Sequence, residues 1–310
     1  MASAQHLSGT LTAIVTPFSP DGREIDFDAL DTLVEAQIKG GVSGLVPCGT
    51  TGESPTLTDD EQIALIRRVV AVTKGRVPVI AGTGSFSTKK TCASTKNAEQ
   101  AGADGVMVVM PYYNKPSQEG MRAHVLAVAQ CTSLPIVLYN IPGRSVVDLS
   151  ADTTARICES APNVVALKDA TGNVLRCQEL KRKLGDRLSV LSGDDALTLP
   201  MMSVGASGVI SVTSNVKPLE VSEVTRRVLA GDFQGAKAAH FALLDLHASM
   251  FLEPNPAPAK AALAMAGRMS PMLREPLLPA GESTKQAIAQ ALLKLEAAWP
   301  SVTSASKSLS

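Results

Sequence analysis

The feature that most constrains this chain is a repeated alternation of two patterns. A short run rich in β-branched residues, apolar on both faces, is followed each time by a longer stretch with helical periodicity. The runs fall at 11–15, 44–47, 77–81, 105–109, 136–139, 164–168, 188–192 and 209–212. The helical stretches fall at 27–39, 59–72, 88–100, 118–130, 151–160, 174–183, 196–203 and 219–229. A strand that is apolar on both faces must be covered on both, and with helical crossovers a parallel sheet meets that condition. Eight such βα units of roughly 25 to 30 residues, with no linker between them, predict an α/β fold of the closed (β/α)8 TIM-barrel type rather than an open doubly wound sheet. The dinucleotide-binding alternative also lacks its fingerprint. GTGSFS at 82–87 has Ser87 where a third glycine belongs, and reads as a strand-to-helix turn.

After Gly231 the pattern changes to Ala- and Leu-rich helical stretches at 234–250, 257–268 and 284–298, with no strands between them. The expected organisation is a barrel over residues 1–230, a C-terminal helical appendage over 231–300 and a disordered tail over 301–310, where SVTSASKSLS has little to bury. Composition then narrows the function. With 45% apolar residues, 19% charged residues and 29 basic against 29 acidic side chains, the chain has the make-up of a soluble globular protein without a field that gathers nucleic acid or anionic lipid. An aromatic content of 3% leaves few platforms on which bases could stack, so no nucleic-acid partner is expected. The five cysteines (Cys48, Cys92, Cys131, Cys158, Cys177) are scattered without a CxxC pair, which fits a reducing, cytoplasmic setting rather than a disulfide framework or a structural zinc site. The first residues, MASAQHLSG, lack a signal-peptide pattern, and the longest apolar run, VMVVM at 106–110, is too short to span a bilayer, so no membrane association is expected.

In a barrel the chemistry gathers at the carboxyl ends of the strands. Those ends read PCGTTGES (47–54), PYYN (111–114), YNIPGR (139–144), LKDATGN (167–173) and SGDD (192–195). Lys168 closes a strand in which alternation places Val164, Ala166 and Lys168 on the interior face. Loss of hydration there favours the free amine that attacks a carbonyl carbon; a stem laid along the strand with its head in water is the plain alternative. Covalent amine catalysis also needs donors for a carboxylate, a proton-carrying hydroxyl and a cation for a second acid. GTTGE offers hydroxyls and closely spaced N–H groups, or else only a tight turn. Tyr139 can relay a proton, or else fill the core. Arg144 can grip a carboxylate in a fork, or else stand as a solvated loop charge.

Other chemistries fare worse. None of the four histidines, His6, His124, His240 and His247, closes an expected strand, so a histidine-ligated metal and a Ser-His-Asp triad on Ser54 or Ser192 are both poorly supported. Asp194 and Asp195 read as helix-capping carboxylates rather than a hard-cation site, and Cys48 as a small buried filler rather than a reactive thiol.

Taken in order, GTLTAIVTPF, GTTGES, PYYNKPSQEG, YNIPGR, ALKDATGN, LSGDD, GVISVTSN and FLEPNPAPAK, spread over residues 9–260, resemble the pyruvate-dependent class I aldolase family and, within it, the dihydrodipicolinate synthases. The resemblance implies that Lys168 condenses with pyruvate as a Schiff base and that Thr50 and Thr51 hold the pyruvate carboxylate. It implies a proton relay through Tyr139, linked by Thr51 to Tyr113, which in this family reaches in from a neighbouring subunit. A homotetramer, a dimer of dimers, follows from that shared tyrosine. Arg144 would bind the carboxylate of aspartate semialdehyde, and the backbone around Gly193 and Ile210 would line the pyruvate pocket. No cofactor and no metal are implied. The expected activity is the condensation of pyruvate with aspartate semialdehyde to 4-hydroxy-tetrahydrodipicolinate, a lyase step of lysine and diaminopimelate biosynthesis. Relatives that cleave 4-hydroxy-2-oxoglutarate, sugar acids or N-acetylneuraminate share the lysine and the tyrosine; Arg144, a cation where the sugar-cleaving relatives tend to carry a neutral residue, favours the small acidic aldehyde. A barrel that only binds a small acid is the reading from another class, and the joint presence of Lys168, Tyr139, Thr51 and Arg144 weighs against it. One departure stands out: where lysine-inhibited members carry an amide and a carboxylate, this chain has Phe86 and Lys90, so weak feedback by lysine is expected although Ser54 and Tyr112 are retained.

Overall fold

The computed structural model describes residues 6–304. Strands β1 (Gly9–Ala13), β2 (Gly44–Val46), β3 (Ile80–Gly82), β4 (Gly105–Val109), β5 (Ile136–Asn140), β6 (Val164–Asp169), β7 (Ser189–Ser192) and β8 (Gly208–Ser211) form one parallel sheet in the order β2-β1-β8-β7-β6-β5-β4-β3. The ends of that order meet. Leu45 N donates to Pro78 O over 3.0 Å and Gly82 N to Pro47 O over 2.9 Å, so the sheet curls into the expected barrel. Gly82 permits this approach, because a Cβ there would stand 2.2 Å from the Cys48 carbonyl oxygen.

The helices that follow the strands are α1 (Phe27–Lys39), α2 (Asp59–Thr73), α3 (Thr88–Gln100), α4 (Gln118–Cys131), the short α5 (Pro142–Ser145), α6 (Ala151–Ser160), α7 (Val174–Leu184), α8 (Thr198–Ser203) and α9 (Pro218–Leu229). Most begin where the sequence supplies a cap: the side chains of Asp26, Thr58, Ser87, Ser117, Ser150 and Asn173 accept from first-turn N–H groups that would otherwise lack partners. Helices α10 (Phe233–Ser249), α11 (Ala257–Met265) and α12 (Glu282–Ser304) complete the chain.

The side chains divide into two layers, as alternation in a barrel demands. Leu11, Ala13, Val46, Ile80, Met107, Val137, Ala166, Leu191 and Ile210 fill the interior, while a larger set, Val34, Leu45, Val108, Leu138 and Leu167 among them, packs between strands and helices.

Three details differ from the sequence reading. Val164 belongs to the outer layer, because the β5–β6 register runs Ile136↔Val164 and then Val137↔Ala166, with Val165 bulged between them. The bulge resets the alternation, and Ala166 and Lys168 keep the inward phase. The loop after β5 contains α5, a single turn with proline near its start that no periodicity announces. Finally, α12 takes in residues 301–304 of the stretch expected as a tail: Val302 is buried, and its carbonyl accepts from Arg227 Nη2 over 3.1 Å. Residues 305–310 lie outside the described residues.

Candidate active site

The carboxyl ends of β2 to β5 surround a cavity of about 220 Å³ whose wall includes Thr50, Ser54, Tyr112, Tyr139 and Arg144. Beside Tyr139 stands Lys168. The two residues face each other in register across β5 and β6, and the lysine Nζ lies 4.3 Å from the centre of the tyrosine ring. Lys168 is 4% exposed and makes no hydrogen bond or ion pair with any described residue. The face of an aromatic ring is a weak partner for an ammonium, and leaving such a group otherwise uncompensated is costly in an enclosed site.

The GTTGE segment leaves β2 as a compact turn. Gly52 N and Glu53 N donate back to the carbonyls of Gly49 and Thr50, both over 3.1 Å, and the Thr16 hydroxyl donates to Gly52 O over 2.7 Å. Cys48 and Glu53, at either end, take positive φ values of 56° and 54°, an unusual state for residues with a Cβ that tight surroundings must hold. The N–H groups of Thr50 and Thr51 find no acceptor among the described residues. Two adjacent free N–H groups at a strand end make a nest suited to an anion.

Of the residues expected to carry function, Thr50, Tyr139 and Arg144 line the cavity. The Arg144 guanidinium, presented from α5, is engaged by no carboxylate among the described residues. Gly193 follows β7 with its N–H on the Asp169 carbonyl at 2.7 Å, and a Cβ there would come within 2.7 Å of the Ala170 Cβ, so the loops after β6 and β7 close over each other. Ile210 sits in the interior layer. Its strand end is tied down by Asp195, whose Oδ2 accepts from the N–H groups of Val212 at 2.9 Å and Thr213 at 3.1 Å. Asp194 caps the following turn, as the sequence suggested.

One residue, Thr51, stands differently from expectation, whereas Tyr113 has the exposure that service to a neighbouring subunit requires. The hydroxyl of Thr51 forms no bond to Tyr139; it accepts from Asn255 Nδ2 over 3.0 Å, and Thr50 is the threonine that shares the cavity wall with Tyr139. The two adjacent hydroxyls thus have different surroundings: Thr50 stands in the cavity wall, and Thr51 accepts from Asn255, which leaves its own hydrogen free for another acceptor. Tyr113 points out of the protomer, 91% exposed and with φ of 71°.

A second cavity of about 330 Å³ adjoins the first and includes Ser54, Phe86, Lys90 and Tyr112 in its wall. Phe86 meets Tyr112 edge-on at 5.6 Å, and Lys90 pairs with Asp59 at 3.8 Å.

The sequence reading passed over the charges beneath the turn. Glu53 is buried and pairs with Lys260 Nζ at 2.5 Å, while its other carboxylate oxygen accepts from Arg274 N over 3.0 Å. Lys260 is fully buried on α11, donates to Met272 O over 2.9 Å and lies 4.1 Å from the Phe18 ring centre. Burial pulls its ammonium down to about 8 against the opposing pull of Glu53. One signal was available: Lys260 is the only charged residue in APAKAALAM, an otherwise apolar helix. Cys48 is the inert filler expected, its thiol pushed up to about 12 by burial. All five cysteines are free, no helix among the described residues is long and apolar enough to cross a membrane, and no group of three or more His, Cys, Asp or Glu side chains converges there.

Comparison with known proteins identifies the family. The dihydrodipicolinate synthetase family profile matches residues 6–295. A 4-hydroxy-tetrahydrodipicolinate synthase of Sorangium cellulosum is 72% identical over 291 residues, covering 94% of this chain and 97% of its own. The structure of the 4-hydroxy-tetrahydrodipicolinate synthase from Methylacidiphilum fumariolicum SolV superposes with a TM-score of 0.93 at 45% identity, over 96% of this chain and 98% of that one. The dihydrodipicolinate synthase of Acinetobacter baumannii, solved with pyruvate, gives 0.91 at 42% identity, over 93% and 99%. A profile spanning nearly the whole sequence and a relative of such high identity place the chain in the dihydrodipicolinate synthetase family.

Proposed function

We propose that this lyase of the class I aldolase type condenses pyruvate with aspartate semialdehyde on Lys168, giving 4-hydroxy-tetrahydrodipicolinate. The observation that carries the reading is a buried amine without a carboxylate partner, 4.3 Å from a tyrosine ring at the mouth of the barrel. Its nitrogen attacks the keto carbon of pyruvate and water leaves, forming a protonated imine. Positive charge beside the methyl group makes one of its protons removable, and the resulting enamine adds to the aldehyde carbon. The amino group of the semialdehyde then displaces Lys168 as the ring closes, which frees the lysine for another turnover.

The remaining residues supply orientation and proton transfer. The free N–H groups of Thr50 and Thr51, with their hydroxyls, are matched to the pyruvate carboxylate, and the backbone around Gly193 and Ile210 is the proposed remainder of the pocket. Tyr139 is the proton carrier. Thr50 beside it on the cavity wall offers the hydroxyl that would extend the relay. Arg144 takes the carboxylate of the aldehyde in a fork. Tyr113, exposed on its own protomer, serves the relay of a second copy, and the assembly proposed on this reading is a homotetramer built as a dimer of dimers. Five free cysteines suit the cytoplasm as its compartment.

Steady-state assays with parallel substrates test the assignment. Turnover is expected with pyruvate plus aspartate semialdehyde, and cleavage of 4-hydroxy-2-oxoglutarate and N-acetylneuraminate is expected to be far slower. In Arg144→Ala the KM for the semialdehyde rises about 10- to 100-fold while that for pyruvate is held. Preference for either cleavage substrate, or an unchanged semialdehyde KM in that variant, contradicts the reading.

A further inference from the structure

We infer that Asn255, from the helical region and outside every barrel strand, is a positioning residue for the keto-acid cradle and acts through Thr51. The inference rests on the reading of Thr51 as part of that cradle. Asn255 and Thr51 are 6% and 2% exposed, lie 204 positions apart in sequence, and meet in a single hydrogen bond, Nδ2 donating to Oγ1 over 3.0 Å. Among the described residues it is the only side-chain hydrogen bond of Thr51, and the Asn255 Oδ1 is buried with no partner there.

A threonine hydroxyl carries one hydrogen and two acceptor lone pairs. With an amide N–H occupying one lone pair, the hydroxyl hydrogen has to point away from Asn255. Among the described residues no acceptor meets it. Thr51 is therefore held as a directed donor beside the unengaged N–H groups of Thr50 and Thr51, three donors with no protein acceptor between them. A carboxylate accepts several such bonds, and donors fixed in advance cost no reordering when it arrives. Aspartate at position 255 would reverse the bond. A carboxylate only accepts, so it would capture the Thr51 hydrogen and set a negative charge beside the anion's place.

The segment carrying Asn255 has its own anchor. Lys260, five residues on, is tied to Glu53 at 2.5 Å and to the Met272 carbonyl at 2.9 Å. Altering the head group of Asn255 thus leaves the packing of the helical region on the turn in place.

The test is a double-mutant cycle on the full-length enzyme, with Asn255→Ala, Asn255→Asp, Thr51→Val and Asn255→Ala/Thr51→Val. KM for pyruvate and kcat are read separately, and the pyruvate concentration giving half-maximal borohydride trapping reports binding by folded protein alone. Asn255→Ala is expected to raise the pyruvate KM about tenfold with a smaller change in kcat. Asn255→Asp, close to isosteric, is expected to raise it further. In the Thr51→Val background the Asn255→Ala change adds nothing, because its route of action is gone. Thr51→Val alone with an unchanged pyruvate KM removes the premise that Thr51 belongs to the cradle. A raised KM in Thr51→Val, with Asn255→Ala lowering only Tm or with effects that multiply in the double variant, leaves that premise standing and overturns the role of Asn255.

Discussion

Two lysines in this chain lose nearly all contact with water, and they do so in opposite company. Lys260 is enclosed by a carboxylate, a carbonyl and the Phe18 ring. Lys168, 4% exposed, has only the face of Tyr139 among the described residues. Burial alone does not make an amine reactive. A compensated ammonium is a strut that holds the GTTGE turn against the C-terminal helices, whereas the amine without such partners, at an open mouth, is the one proposed to bond to carbon.

The largest expected effect separates the two directly. Lys168→Met should lower turnover by about 10³-fold or more, the scale on which loss of a nucleophile acts, and leave Tm unchanged or raised, since a costly group has been replaced by an apolar one. Lys260→Met does the reverse. It strands Glu53 in the interior and should cost about 3–5 kcal/mol of stability in denaturant titration, while the protein that remains folded keeps its trapping of pyruvate. Addition of Glu53→Gln to Lys260→Met should recover part of that loss. If Lys260→Met were as stable as the parent, the strut would be a mere neighbour.

A smaller effect extends the contrast to histidine. His124 Nε2 and His240 Nδ1 are buried without partners among the described residues, and burial brings both imidazoles down to about 4. The unfolded chain, with ordinary histidines near pH 6.5, binds protons that the folded chain refuses. Stability from this source is present above that pH and is lost as pH falls from about 6.5 towards 4. Urea midpoints at pH 7, 5.5 and 4.5 should decline in that order, and His240→Gln should reduce the slope; a slope unaltered in that variant assigns the decline to other groups. The smallest effect concerns an exposed lysine. Lys90, with Phe86, lines the second cavity, and free lysine, with its own ammonium groups, is expected to leave the rate nearly unchanged. Strong inhibition by lysine would show that Lys90 swings clear or stays neutralised by Asp59.

What the sequence disclosed follows from the same physics. Strands buried on both faces must be apolar throughout, so eight of them could be read as runs, and the onset of helical periodicity matched several helix starts to the residue. The bulge at Val165 could not be read, because alternation gives no sign of where a register slips. Lys168 was nonetheless placed correctly, since the slip lies before it. At the site, side chains that close a strand were legible one by one. The bonds Asn255–Thr51 and Lys260–Glu53 were not, because each joins residues more than 200 positions apart and nothing local requires them. The different surroundings of Thr50 and Thr51 were hidden for a related reason: a turn assigns each side chain a direction that composition does not record.

Incubation of the enzyme with pyruvate and borohydride, followed by peptide mass spectrometry, tests the role of Lys168 most directly. Reduction should leave one pyruvate-derived secondary amine, on the peptide containing ALKDATGN, with none on Lys260 and none in Lys168→Met. An adduct on another lysine, or turnover without any trapped adduct, would contradict the assignment of Lys168 as the amine that forms the bond.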